Sequence, residues 1–310
     1  MAPTYKTDVP AKGRITMKRW GLVIAFTVGV LAMVSAAGAP VTAAPVVFSV
    51  GGSDAASSIQ PTVDAFRAAL GNPNNANAAG PLFSGRREIN WDGGGNTNTP
   101  SGSPLNAFLN IRGAQFTTPG TGFIQAPPSG GADGGLATAF SNPTYGDVFG
   151  IFSSPRVFTP VGSNITDTFF FIPGTNGGTQ AEVSGFGAVF TDVDLATSTK
   201  VDFFDRNGNL LTEQSVLAGT VANKSLSFLG VTFDAGEQIA RVRITSGNSI
   251  LATGNNDGGA IDLVVMDDFL FSEPRAVPEP ASGALLGATA IALMSIRRWR
   301  RRGQPRALTT

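Results

Sequence analysis

Glu182-Val183-Ser184-Gly185-Phe186-Gly187-Ala188-Val189-Phe190-Thr191-Asp192-Val193-Asp194 is the stretch on which the fold class turns. Val183, Gly185, Gly187 and Val189 alternate with Phe186, Ala188 and Phe190, the period of two that puts successive side chains on opposite faces of a strand. A strand is therefore expected over residues 182–191, with Asp192 and Asp194 at its end. Two positions apart, their carboxylates point to the same side. Working outward, Phe169-Phe170-Phe171 is apolar on both faces and reads as part of a central strand over 167–172. Further strands are expected at 148–152, 156–158, 200–205, 210–214, 225–233, 238–245 and 260–271, with 86–91 strand-like. Short strands separated by turn signals, with almost no helical periodicity, predict an all-β chain, an antiparallel β-sandwich of the jelly-roll-like kind. No internal repeat points to a propeller or solenoid.

One soluble helix is expected near the start of this region. Ile59, Val63, Phe66 and Leu70 recur at helical spacing, Ser57-Ser58 precede them, and Gly71 follows as a stop; the helix is expected to cover one edge of a sheet. Residues 71–85 and 92–146 are rich in Gly, Pro, Asn, Ser and Thr and read as loops with short apolar pieces at 108–111, 115–116 and 123–124.

The 310-residue chain contains neither Cys nor His. That excludes disulfides, thiol nucleophiles, Cys/His zinc sites and any triad with an imidazole base. The 22 basic and 22 acidic residues balance only over the whole chain: five basic residues precede residue 20 and six follow residue 296. Between the two ends, 11 basic residues face 21 acidic ones, a net charge of −10. Such a surface argues against nucleic acid as a partner and favours cations.

Both ends carry their own signals. Lys18 and Arg19 precede an apolar run over 22–37 followed by small residues, the pattern of a secretory signal peptide over 1–43 with cleavage after Ala43 and a true start at Met17. At the other end, Val277, Pro278, Glu279 and Pro280 lead into 16 uncharged positions over 281–296, then Arg297, Arg298, Arg300, Arg301 and Arg302. As a helix, 281–296 is about 24 Å long, slightly short of the roughly 30 Å hydrocarbon core, and snorkelling arginines make up the difference. The positive-inside rule puts the basic tail, 297–310, in the cytoplasm. The expected organisation is a signal peptide (1–43), a helix and loop-rich part (44–146), a β-sandwich core (147–272), a linker with the Pro-Glu-Pro motif (273–280), a transmembrane helix (281–296) and the tail.

The order of motif, apolar segment and arginines resembles the PEP-CTERM sorting signal. The segment 185–194, with Val201-Asp-Phe-Phe-Asp-Arg-Asn-Gly-Asn209, Val264-Val-Met-Asp-Asp-Phe-Leu-Phe271 and Gly85-Arg-Arg-Glu-Ile-Asn-Trp-Asp92, resembles a β-sandwich domain of exported PEP-CTERM proteins. The resemblance implies signal peptidase and an exosortase as processing partners, transient anchoring in the inner membrane, and delivery to the cell surface or extracellular matrix alongside exopolysaccharide. It implies no catalytic activity. A carbohydrate-binding module, Ca²⁺-dependent or not, is the first alternative, and a hydrolase working through paired carboxylates is the second.

Asp192, Asp194, Asp267 and Asp268 are the metal candidates, since carboxylates clustered at strand ends suit Ca²⁺. Solvated turn residues and edge-protecting charges are the competing reading. Asp262 and the loop 254–258 are secondary candidates. Asp205-Arg206-Asn207-Gly208-Asn209 opens like a Ca²⁺ loop but has Val216 where a bidentate acid is required, and Asn207-Gly208 is a type I′ hairpin signal. Trp91 is expected to pack in the core or at an edge, with stacking on a sugar as the functional alternative.

Overall fold

A computed structural model describes residues 44–93, 100–234, 238–276 and Met294. The expected signal peptide, Val277, Pro278, Glu279 and Pro280, all of the apolar segment except Met294, and the five arginines lie outside the described residues. In chain order the strands are β1 (Val46–Gly51), β2 (Arg86–Ile89), β3 (Ala114–Thr117), β4 (Gly122–Ala126), β5 (Val157–Val161), β6 (Ile165–Phe170), β7 (Ala181–Glu182), β8 (Gly185–Thr191), β9 (Lys200–Phe204), β10 (Leu210–Ser215), β11 (Leu226–Thr232), β12 (Arg241–Thr245), β13 (Val265–Ser272) and β14 (Arg275–Ala276). The helices are α1 (Gln60–Leu70), α2 (Gly135–Ala139) and α3 (Tyr145–Val148). The chain is thus mostly β, with few helices.

The larger sheet runs β1-β11-β8-β13-β5-β4, with β2 also paired to β13, and the smaller runs β10-β9-β12-β6-β3. All pairings between named strands are antiparallel. The two sheets share one apolar cluster. Phe186, Ala188 and Phe190 of β8, Leu229 and Val231 of β11, and Phe269 and Phe271 of β13 come from the larger sheet; Phe116, Phe170, Phe203, Val242 and Ile244 come from the smaller. Trp91 lies inside this layer, 1% exposed, stacked on Phe158 with ring centroids 3.6 Å apart, and its Nε1 donates to the Asp267 carbonyl at 3.0 Å. It is a core residue and offers no platform to a sugar.

The opposite face of β8 shows why its alternation contains glycines. The helix α1 lies on the face of the larger sheet, packing against β1, β11 and β13, rather than along an edge as expected from sequence. Its Val63, Phe66 and Leu70 form a second apolar cluster with Val189, Leu226, Phe228 and Leu270. Gly187 and Gly230 are cross-strand partners directly beneath Phe66. A Cβ on Gly187 would lie 2.8 Å from the Phe66 ring, and one on Gly230 2.7 Å from it. Absent side chains at these two positions form the seat that lets the helix approach the sheet.

Several boundaries differ from expectation. Residues 148–152 form no strand: Val148 closes α3, and with Tyr145 and Phe149 it joins a third cluster beside Leu251 and Leu263. A short apolar run is compatible with either element, and packing decided it. β1, unassigned from sequence, pairs along its whole length with β11. Strand 182–191 is interrupted after Glu182, where Val183 bridges Ile239, and 260–271 becomes extended only from Val265. Residues 44–146 supply strands to both sheets. β6 is paired on both sides, as Phe169-Phe170-Phe171 suggested, although only Phe170 is fully buried. Among the described residues no helix is long and apolar enough to cross a membrane.

Candidate metal centre

Thr191 closes β8, and at Asp192 the backbone turns into the left-handed region with φ 66° while its N–H donates to the Ser225 carbonyl at 2.8 Å. The turn carries the Asp192 side chain into the protein, where it is fully buried. Neither carboxylate oxygen has a hydrogen-bond partner. Asp194 and Asp257, both half-buried, bring one carboxylate oxygen each to within 4.8 Å of Asp192 and of each other. Asp257 comes from the long loop between β12 and β13, so the trio joins segments more than sixty residues apart in sequence.

Asp262 holds the arrangement from behind. Its carboxylate accepts the backbone N–H groups of Asp194 (3.1 Å) and Leu195 (3.2 Å) and a short hydrogen bond from the Ser198 hydroxyl. Its own N–H donates to Asn248 Oδ1 at 2.9 Å. Asp257 Oδ1 accepts the Leu263 N–H at 2.8 Å. On its far side the loop is tethered by the Tyr145 hydroxyl, which donates toward the Ala252 and Asn255 carbonyls, and by Asn142 Nδ2, bonded to Asn255 O and Asn256 Oδ1.

The electrostatics follow from that geometry. Burial, then the charges of Asp257, Asp194 and Asp262, push the Asp192 carboxyl up to about 8. Burial, then Asp257 and Asp262, push Asp194 up to about 6. Asp257 is also raised, by burial first and then by Asp262, against the Leu263 N–H that favours its charged form. The charges acting on Asp192 and Asp194 are all carboxylates.

The four carboxylates expected from sequence as metal ligands therefore separate into two places. Asp267 and Asp268 form a bulge in β13, where the pairing with β8 shifts register between Met266 and Phe269. Asp267 accepts the Phe152 N–H (2.7 Å), the Ser153 N–H (3.3 Å) and the Ser153 hydroxyl (3.2 Å); Asp268 accepts that hydroxyl at 2.5 Å and lies 3.6 Å from Arg67. They pin the 149–156 loop and the helix. Asp205 is likewise occupied, accepting the N–H groups of Asn207 and Asn209 at the tip of the β9–β10 hairpin. Gly208 has a positive φ there and Asn207 does not, so the tip is a hairpin but not a type I′ turn. What sequence alone did not single out was Asp257 within the loop 254–258.

The whole chain was compared with family models and with curated proteins. Neither comparison gives a match.

Proposed function

We propose that this protein is an exported, exosortase-processed surface or extracellular-matrix component whose jelly-roll-like β-sandwich acts without catalysis, in association with exopolysaccharide. The observation that carries the reading is the order of segments: a signal-peptide pattern, an acidic β-rich unit, Val277-Pro278-Glu279-Pro280, an apolar stretch and five arginines. The fold is compatible with processing at that point. β14 ends at Ala276, the residue before the motif, and is paired with β7. A cut at Pro-Glu-Pro would leave both sheets whole.

The carboxylates of the β unit fit a structural module. Asp167 makes a bidentate pair with Arg243 (3.0 and 2.7 Å), Glu88 pairs with Arg67 and Arg86, and Glu273 with Arg87. Each is committed to an arginine that ties neighbouring segments together.

The test is expression of the full-length chain in a Gram-negative host that carries an exosortase, beside a variant with Pro278, Glu279 and Pro280 changed to Ala. The wild-type chain should be shortened and released to the surface fraction, and the variant should stay uncut in the inner membrane. Normal processing of the variant would overturn the reading.

A further inference from the structure

The carboxylate of Asp192 is a chemical anomaly of the fold. Buried polar groups are almost always hydrogen-bonded, and an unpaired buried charge is strongly disfavoured. Here both oxygens lack a hydrogen bond of good geometry, the Lys224 N–H that eases their charge being bonded to the Val148 carbonyl at 2.7 Å; the residue is fully buried, and the side-chain charges acting on it are those of Asp257, Asp194 and Asp262. Its neighbours show that the fold can satisfy such groups. Asp262 receives two backbone N–H groups and a hydroxyl, and Asp267 receives the same set. Asp192 is aimed at Asp194 and Asp257 instead.

We propose that Asp192, Asp194 and Asp257 bind a Ca²⁺ ion that fastens the 246–264 loop to the end of β8. The donors are all oxygen, the choice of a hard cation, and the chain offers no imidazole or thiolate to a softer one. The three oxygens lie within 4.8 Å of one another; Ca–O bonds of about 2.3–2.6 Å allow ligands on opposite sides of the ion to be roughly 4.6–5.2 Å apart. Asp262 acts as a positioning residue, since its carboxylate is filled by the Asp194 and Leu195 N–H groups and fixes the backbone that presents Asp194. Asp194 and Asp257 are half-buried, which leaves an open side for entry and for water ligands. The ion would supply the positive charge the cluster lacks and join residues brought together only by the tertiary fold.

The experiment uses the full-length chain stripped with EDTA, then titrated with CaCl₂ or MgCl₂ while its thermal midpoint and the hydrogen exchange of residues 246–264 are followed. Ca²⁺ should raise the midpoint saturably, by roughly 5–10 °C at a hundredfold excess over Kd, slow exchange in the loop, and lose both effects on return to EDTA. Asp192→Asn and Asp257→Asn should each abolish the response. D192N should also melt no lower than the wild type in EDTA, because the amide keeps the side chain's shape and brings no charge into the buried site; a residue needed only for packing would not give that pairing. An unchanged midpoint through about 10 mM Ca²⁺, tenfold above the weakest sites of about 10⁻³ M, would overturn the proposal. So would a response that survives in both variants, and an equal response to Mg²⁺ would overturn the assignment to calcium.

Discussion

Arg87 of β2 and Glu273 just after β13 form a bidentate ion pair, Nε to Oε2 and Nη2 to Oε1 both at 2.8 Å, and the arginine is completely buried. Further hydrogen bonds surround the pair. Arg87 Nη1 donates to the carbonyls of Ala76, Ala78 and Ile111, while Glu273 accepts Asn75 Nδ2 and the Leu82 N–H. The pair thereby organises the 71–85 segment, which has little apolar content to order it, and ties it to Ile111. Removing one partner strands the other charge in a dry site, so Glu273→Ala should lower stability by about 3–5 kcal/mol. Urea unfolding of the variant checks this, and a loss under about 1 kcal/mol would show that solvent reaches the arginine.

The contact of Phe66 with Gly187 and Gly230 gives a prediction of opposite chemistry, since here something is added. Gly187→Ala would set a methyl 2.8 Å from the Phe66 ring and 2.9 Å from the Gly230 Cα, with no free space on either side. Overpacking of that kind costs about 1–3 kcal/mol. Phe66→Ala removes the ring and costs about 3–5 kcal/mol by itself. Because one substitution empties the space the other invades, the double variant should be more stable than the sum of the two predicts. A double-mutant cycle measures the coupling; strict additivity would mean that the helix does not rest on Gly187.

The same glycines show how far the fold could be read in the chain. Alternation over 183–190 was sufficient to identify β8 and, with its neighbours, an all-β unit, because a period of two is imposed by the strand itself. That the polar-free side of the alternation is a seat for a helix depends on Phe66, more than a hundred residues earlier, and no local pattern carries it. The candidate site divides in the same way. Asp192 and Asp194 were recognisable from their spacing at a strand end, whereas Asp257 lies in a Gly/Asn loop that ranked only as a secondary candidate, because such composition ordinarily signals a turn. Asp267 and Asp268 share the composition of a metal site, yet the bulge in β13 points Asp267 at the N–H groups of Phe152 and Ser153 and Asp268 at the Ser153 hydroxyl and Arg67. Arg87 gave no sign of burial, since a charged residue in a strand-like segment is ordinarily exposed.

At the C-terminal end the arginines give a prediction about topology. On the proposed reading, five positive charges directly after a short apolar segment would hold that end on the cytoplasmic side and extend its anchoring into the head-group region. Replacing Arg297, Arg298, Arg300, Arg301 and Arg302 with Gln should shift the unprocessed precursor from the membrane to the soluble exported fraction. Fractionation of cells expressing the full-length chain tests it; an unchanged distribution would show that these charges do not set retention.

The Asp267–Asp268 bulge makes stability depend on pH in a direction that can be worked out. Burial, then the adjacent charge of Asp268, raise the Asp267 carboxyl well above its ordinary value, outweighing the N–H groups of Phe152 and Ser153 and the Ser153 hydroxyl; burial raises Asp268 as well, against Ser153 and Arg67. The folded state therefore binds a proton that the unfolded chain has already released at the same pH. Stability from this pair is fully present below the unfolded carboxyl pKa of about 4 and is lost as pH rises toward the folded value. Asp267→Asn can keep the carbonyl oxygen that accepts the two backbone N–H groups while removing the charge. The stability of D267N relative to wild type should accordingly increase from pH 5 to pH 8, read from urea unfolding at both values. Taking the difference cancels the titration of the Asp192 cluster, which is the same in both proteins. A difference that stays constant between the two pH values would mean that Asp267 is ionised in the folded protein throughout, with the three donors of the 152–153 loop sufficient to hold its charge.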